Sequence, residues 1–342
     1  MIDVSGRNRW LNRFAWLLAG LTLFLICSGG MVTSKGVGLA VPDWPTTFGY
    51  NMFLFPVSQW VGGIFFEHTH RLIASLIGLL TIVLAVWLWR AESRKWLRVL
   101  GIVALGAVIL QGVLGGLRVT MLQDEIGIFH ACLAQAFLAL LVLIAVATSR
   151  AWSEAVPRTF RSSSLWLPVV TVSLIYLQLG LGATMRHQHR DLAILDFPAA
   201  YGQIIPDLSA ERLALINQAR EVRALSEVTP AQILLQLAHR FGSFLISVGV
   251  ITSWFALRGH EGELRTLSTL WVILLAGQIT LGAWTIWSNK AADIATAHVA
   301  VGATMLALGI GIWALAYRMR APEIGNPLTS RRSPTPEEVH AF

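Results

Sequence analysis

The sequence predicts an all-α polytopic membrane protein, with eight transmembrane helices arranged as two pseudo-symmetric four-helix bundles. Three observations carry this prediction: the composition, the number of long apolar runs, and an internal repeat. Of the 342 residues, 55% are hydrophobic and only 13% are charged, and the mean hydropathy is +0.63. One soluble core cannot bury so much apolar surface, so the chain is predicted to lie in a lipid bilayer.

The apolar runs set the number of helices. A hydrocarbon layer of about 30 Å requires about 20 predominantly apolar residues in a helix. Eight runs are long enough, at 13–33, 62–89, 97–118, 127–149, 164–184, 232–256, 266–287 and 293–317. Each run is therefore predicted to be one transmembrane span.

The distribution of Lys and Arg predicts the orientation. Cations gather before the first span, after the second, fourth and eighth, and around the sixth, whereas 34–60 and 288–292 contain one lysine each. Because cytoplasmic connections carry the excess of Lys and Arg, both termini are expected in the cytoplasm. The same bias and anionic lipid explain the net charge of +7, so no nucleic-acid partner is expected.

An internal repeat divides the chain. "HRLIASLIGLLTIVLAVWLW" resembles "HRFGSFLISVGVITSWFAL", "DWPTTFGYNMFLFP" matches "DFPAAYGQIIP", and "GIFHACLAQAF" corresponds to "ATAHVAVGATM". The landmark pairs are His70 with His239, Asp43 with Asp196, and His130 with His298. We interpret the chain as two parallel repeats of four helices, 1–160 and 161–320, followed by a cytoplasmic tail, 321–342.

Four histidines lie inside predicted spans, in one layer of the outer half of the membrane: His70, His130, His239 and His298. Ionisable residues at such depth are rare and usually functional, although an interhelical hydrogen bond explains a single one equally well. Two histidines on facing helices can ligate haem iron from both sides, so each half is predicted to hold one haem. Zinc or copper is disfavoured, because neither half offers further carboxylates or thiolates at ligand spacing.

Charged residues beside these histidines distinguish the halves. Arg71 and Arg240 directly follow the deeper histidines, where a guanidinium suits haem propionates or snorkels to headgroups. Glu67 shares a helical face with His70, but its equivalent in the second half is Gln236. Glu67 is either an ion-pair partner of Arg71 or a proton acceptor beside the iron. The asymmetry predicts a reacting haem in the first half and an electron-transfer haem in the second.

The other histidines are not expected to be ligands. His68 points about 200° away from His70 on a helix, so we interpret it as a packing or proton-path residue. The remaining four are assigned to connections: His187 and His189 to an outward loop, and His260 and His340 to the cytoplasmic side.

Together these motifs resemble the heme A synthase family over nearly all of 13–317. The residues that carry the resemblance are Glu67-x-x-His70-Arg71, His130, His239-Arg240 and His298. Members oxidise the C8 methyl of heme O to a formyl group, by successive hydroxylations to a gem-diol that loses water, and so supply heme A to terminal oxidases.

The resemblance implies a role for each half. In 1–160, Glu67 would be catalytic, and His70 and His130 would ligate the substrate heme O. In 161–320, His239 and His298 would ligate a heme B cofactor. It also implies the bacterial cytoplasmic (inner) membrane as location, and heme O synthase, terminal oxidase assembly factors and an unidentified electron acceptor as partners. A homo-oligomer is an open alternative.

Two segments depart from the family pattern. Many bacterial members carry a cysteine pair in the first outward loop, and 34–60 contains no cysteine. The stretch 185–231 is longer than its counterpart and includes "SAERLALINQAREVRAL", which predicts a short amphipathic helix outside the membrane. This helix would be either a cap on the second site or, as the simpler interpretation, a solvated connector.

Two other functions fit parts of the pattern. A di-haem b-type subunit passing electrons between quinone and a partner enzyme explains four histidines, but it leaves Glu67 without a twin unexplained. A transporter built from two repeats would use the histidine layer as a proton relay, and it predicts a colourless purified protein.

Overall fold

A computed structural model describes residues 8–188, 192–260 and 262–320, so the tail 321–342 lies outside the described residues. Within these ranges the chain forms ten α-helices, two short 3-10 helices (Met52–Leu54 and Val57–Gln59) and no strand. The α-helices are α1 Arg9–Ser34, α2 Gly62–Ala91, α3 Lys95–Met121, α4 Asp124–Ala147, α5 Arg150–Ser153, α6 Ser162–Gln188, α7 Ala210–Glu221, α8 Pro230–Leu257, α9 Glu263–Trp287 and α10 Ala292–Met319.

The eight predicted spans are confirmed. Eight helices are long and apolar enough to cross a membrane: α1 to α4, α6 and α8 to α10. Their ends differ from the predicted runs by a few residues, because the polar and charged residues that flank the apolar runs are also helical. At the start of α8, for example, the Thr229 hydroxyl accepts from the Gln232 amide while the Gln232 side chain accepts from the Thr229 amide.

The helices pack in the manner expected for two four-helix bundles. In the first half, α2 and α4 each pack against both α1 and α3. In the second half, α8 and α10 each pack against both α6 and α9. The halves meet where α1 contacts α10 and where α4 contacts α6 and α10. Exchanging the halves maps these contacts onto themselves, which agrees with the predicted pseudo-symmetry.

The larger of two apolar clusters extends to one end of the molecule. Asn12 donates to the Ala145 carbonyl at 2.7 Å, and the Arg158 amide donates to the Met319 carbonyl at 2.7 Å. The first bond joins the start of α1 to the end of α4, and the second joins the segment before α6 to the end of α10. We call this the terminal end. Fully buried apolar side chains are concentrated in this part of the helices: Leu11, Leu84, Leu88, Leu97, Ile144, Leu257, Leu264 and Ile312. The opposite end, which carries the long connections 35–61 and 192–229, is the loop end.

The two long connections contain the same turn. The Asp43 carboxylate accepts from the amides of Phe48 and Gly49 at 2.7 and 2.8 Å. Asp196 accepts from the amides at the same spacing, at 2.8 and 2.9 Å. Gly49 and Gly202 both have a positive φ, 77° and 78°, which glycine adopts without a steric penalty. Burial raises the pKa of Asp43, but the bonds from Gly49 and Phe48 outweigh that effect and hold the pKa below its usual value.

The predicted extramembrane helix is α7, and one of its faces is packed. Ile216 of α7 is buried in a small apolar cluster with Ile194 and Ile233. Arg220, only 3% exposed, donates to the carbonyls of Leu192 and Ser226 at 2.8 and 2.7 Å. Most other residues of α7 are exposed, so the helix is a partly solvated connector that packs on the loop end of the second half, and its role as a cap on the second site stays a prediction.

Candidate functional site

In the first half, each intramembrane histidine lies against a glycine of the preceding span. A methyl group placed on Gly29 of α1 would lie 3.0 Å from Cε1 of His70 on α2. A methyl group on Gly115 of α3 would lie 3.2 Å from Cε1 of His130 on α4. Because glycine has no side chain, the imidazole edges can approach the backbone of the neighbouring helix.

The second half repeats this arrangement. His239 of α8 faces Gly182 of α6, and His298 of α10 faces Gly282 of α9, at methyl distances of 3.4 and 3.1 Å. Sequence reasoning missed these glycines. The sequence did contain a signal for Gly29 and Gly182. These two glycines are 153 positions apart, which is the offset between Asp43 and Asp196 in the repeat.

The histidines of each half lie close together. The ring centroids of His239 and His298 are 6.4 Å apart, with an interplanar angle of 59°. Two imidazoles that ligate one metal ion from opposite sides, with metal–nitrogen distances of about 2 Å, have centroids roughly 6 Å apart. His70 and His130 lie on α2 and α4, which both pack against α1 and α3. The structure therefore brings the second-half pair to ligand spacing and places the first-half pair on the equivalent helices.

The surroundings of these rings fit a ligand. His70 and His239 each have a buried Nδ1 with no hydrogen-bond partner among the described residues, whereas His130 and His298 lie near the backbone carbonyls of Gln111 and Gln278. Each of the four histidines keeps part of its surface accessible. Buried polar atoms are normally paired, so the two unpartnered atoms at equivalent positions need an explanation. Among residues 8–188, 192–260 and 262–320, no group of three His, Cys, Asp or Glu side chains could hold a metal ion. A haem, which contributes its own four nitrogen ligands, needs only two histidines.

Glu67 is held at the base of the first loop. It is 4% exposed, and its Oε1 forms an ion pair with Arg71 at 2.7 Å. Its Oε2 accepts the amide N–H of Val41 at 2.9 Å. The ion-pair alternative is therefore present, and it fixes the carboxylate one helical turn from His70. Proton transfer by Glu67 stays a prediction.

Gln236 occupies the equivalent place in the second half. Its Oε1 accepts the amide N–H of Ile194 at 2.9 Å, and its Nε2 donates to the carbonyl of the same residue at 3.0 Å. Val41 and Ile194 each lie two residues before the turn aspartate. Both side chains therefore accept the amide N–H at the same position of their loop, but only Glu67 is a carboxylate.

Arg71 and Arg240 bind the loops above them. Arg71 donates to the carbonyls of Val41 and Asp43 at 2.9 and 2.7 Å, besides its ion pair. Arg240 donates to the carbonyls of Asp196 and Ala199, at 2.6 and 2.8 Å. These guanidinium groups tether the loops, while the Nε of Arg240 is buried without a partner among the described residues. Their contacts with haem propionates stay a prediction.

His68 is a fully buried packing residue under the first loop. Its Nδ1 lies 3.2 Å from the Thr47 hydroxyl, and its ring packs against Phe55 and Trp60 at centroid distances of 5.1 and 4.7 Å. At the equivalent position of the second half, Leu237 packs against the cluster around Ile216. In the structure His68 is a packing residue, and a proton path through His68 stays a prediction.

The assignment of His187 to a loop is wrong, because α6 continues through this residue. A methyl group on Gly127 of α4 would lie 2.7 Å from Cε1 of His187, so the ring packs near the first half. His189 and His340 lie outside the described residues. His260 follows α8 and packs on Phe160, and burial and the charge of Arg158 lower its pKa.

Sequence reasoning also missed Arg118, in the last turn of α3. It interacts electrostatically with His70, His130 and Glu67. The signal was a lone arginine at the very end of the third apolar run. The residue at the equivalent position of α9 is Thr285, so this charge is present in one half only.

Known proteins share this sequence pattern. A heme A synthase of Shouchella clausii is 28% identical over 80% of this chain and 86% of its own length. A heme A synthase of Geobacillus kaustophilus is 25% identical over 85% and 86% of the two chains, and one of a Methylobacterium species is 26% identical over 91% and 88%. The sequence pattern of the COX15-CtaA family, described as cytochrome oxidase assembly protein, matches residues 12–310. The match includes all four histidines and most of both bundles, and the chain therefore belongs to this family of cytochrome oxidase assembly proteins.

Proposed function

We propose that this chain is a heme A synthase, which oxidises the C8 methyl group of heme O to a formyl group. The observation that carries the proposal is the pairing of four glycine-backed histidines in two halves, of which only one has a carboxylate beside its histidine. Family membership and the names of the relatives support the same reaction. The presence of Glu67 in the first half and Gln236 in the second suggests that the halves have different roles: reaction in the first and electron transfer in the second.

The first half, 1–160, is proposed as the heme O site. His70 and His130 hold the substrate from two helices of the bundle, and the first loop covers Glu67, which is 4% exposed. Glu67 is the proposed catalytic residue: its carboxylate, oriented by Arg71 and the Val41 amide, accepts a proton released during oxidation of the methyl group. A fixed carboxylate needs little reorganisation when the proton arrives.

The second half, 161–320, is proposed to hold heme B between His239 and His298. When bound, this cofactor supplies electron transfer. Gln236 retains the loop contact, but its neutral amide does not act as a base near neutral pH. The second half therefore has no group at this position that can accept a proton as a carboxylate does. The unpartnered Nε of Arg240 is the donor that remains for a propionate.

The cellular setting follows from the same proposal. The protein lies in the bacterial cytoplasmic membrane with both termini in the cytoplasm. It receives heme O from a heme O synthase and delivers heme A for terminal oxidase assembly, and the electrons leave to an acceptor of unidentified nature.

Haem extraction tests the proposal. The protein is purified from cells that make heme O, and its haems are identified by liquid chromatography and mass spectrometry. Heme B together with heme O, hydroxylated intermediates and heme A is the expected result. Two molecules of heme B per chain without oxidised product would instead favour a di-haem electron-transfer subunit, and a colourless protein would contradict both.

A further inference from the structure

We propose that Arg118 binds a propionate carboxylate of the haem in the first half and so makes that site selective for haem as the free acid. This inference rests on the proposed function, because it concerns how heme O is held. Arg71 and Arg240 keep their own predicted propionate contacts, and Arg118 is a further cation beside the first site.

The position of Arg118 directs it to the first site. It lies three residues after Gly115, the glycine that faces His130, and residues three apart share a helix face. A methyl group on Gly38 of the first loop would lie 3.0 Å from its Nη2. A methyl group on Gly127, three residues before His130, would lie 3.1 Å from its Nε. The guanidinium therefore lies between the loop and α4, beside the histidine pair.

The charge of Arg118 has no counterpart in direct contact. Among the described residues it makes no hydrogen bond and no ion pair within 4.0 Å, although Glu67 and Asp124 are electrostatic neighbours. Glu67 is already paired with Arg71 at 2.7 Å. A partly buried cation near apolar helices is costly unless an anion meets it. A carboxylate of the bound haem is such an anion, and the forked guanidinium suits it.

The position equivalent to Arg118 in the second half carries no charge. Thr285 replaces Arg118 there, and its hydroxyl donates to the Leu281 carbonyl at 2.8 Å, within its own helix. The donors of Arg71 and Arg240 go largely to loop carbonyls. Arg118 is thus the uncommitted cation beside the histidines of the first half, within the part of the chain that the structure describes.

The test compares heme O with its dimethyl ester, which has the same ring and iron but no carboxylate charge. Full-length protein that carries heme B in its second half is titrated with each compound, and binding is followed by the optical spectrum. Wild-type protein is expected to bind the free acid about 10- to 100-fold more tightly than the ester. In Arg118→Gln this ratio is expected to fall at least tenfold, because the ester binds both proteins alike.

Controls separate this role from a structural one. Arg118→Lys is expected to give an intermediate ratio, Thr285→Val is expected to leave it unchanged, and the resident heme B spectrum reports whether each variant is folded. An unchanged ratio in folded Arg118→Gln would overturn the inference and leave Arg118 as a headgroup contact, with the proposed function intact. Failure of wild-type protein to bind heme O at all would remove the proposed function and this inference together.

Discussion

The two halves of the molecule have the same scaffold but different side chains around their histidines. Both use a turn built on an aspartate, an arginine tether, and two histidines that lie against glycines. The differences lie within reach of the first site: Glu67 for Gln236, His68 for Leu237, and Arg118 for Thr285. Under the proposed function, the shared features would hold a haem in each half, and the charges of Glu67 and Arg118 would mark the first half as the one that reacts.

The exchange of Glu67 for Gln236 is the sharpest difference. Each accepts one loop amide at 2.9 Å, through Oε2 of Glu67 and Oε1 of Gln236, so the two side chains share this structural contact. They differ in their second contact, which is the ion pair with Arg71 for Glu67 and the bond to the Ile194 carbonyl for Gln236, and in their capacity for a proton. A structural role and a chemical role can therefore be tested separately at this position.

Removing one histidine is expected to have the largest effect. His239→Ala and His298→Ala should lose the resident low-spin b-type haem spectrum, because that spectrum requires an axial ligand on each side of the iron. His70→Ala and His130→Ala should keep that spectrum and lose heme O binding. Optical spectra and haem content of the four purified variants check this. A resident spectrum that survives in the second-half variants would place the cofactor in the first half.

Making the first half resemble the second is expected to stop the reaction without emptying the site. Glu67→Gln should retain haem binding, since Gln236 shows that an amide can hold the loop, and should lower the rate of heme A formation by about 100-fold or more. The reverse change, Gln236→Glu, is the matched control and should leave that rate within a few-fold of wild type. Heme A formation at the normal rate in Glu67→Gln would exclude Glu67 from proton transfer.

Replacing the glycines behind the histidines by alanine should have a smaller effect on haem binding, and that effect should be larger in the first half than in the second. Gly29→Ala places a methyl group 3.0 Å from His70, closer than a normal contact, whereas Gly182→Ala places one 3.4 Å from His239. Overpacking by a methyl group costs about 1–3 kcal/mol, so Gly29→Ala should weaken heme O binding about tenfold. Gly182→Ala should change heme B retention by no more than about twofold. Equal effects of the two variants in titrations and haem-retention assays would contradict this contact model.

The spans were predictable because lipid imposes a simple rule on composition. A helix in hydrocarbon must be apolar for its whole length, so run length alone locates α1 to α4, α6 and α8 to α10. The histidine pairs were predictable for another reason: a duplicated sequence repeats its landmarks at similar spacing. Both signals depend on position along the chain rather than on tertiary contacts.

The contacts between segments that are distant in sequence could not be predicted from the sequence. The glycines behind the histidines look like any other glycine in an apolar run. The carbonyl acceptors of Arg71 belong to a loop whose path is set by Asp43. His187 was misassigned because polar residues at the end of α6 resemble a loop, whereas packing against Gly127 and hydrogen bonding continue the helix.

The contacts between the halves carry a further consequence. An interface that maps onto itself when its two partners are exchanged is an isologous one, the type found in twofold-symmetric homodimers. The faces of α1, α4, α6 and α10 that meet across it would be left uncovered in a single half. A single half with this fold would therefore need a partner to cover these faces, and the segment around α5 is the covalent link that keeps the two halves together. Cutting the chain there should yield two polypeptides that still assemble in the membrane.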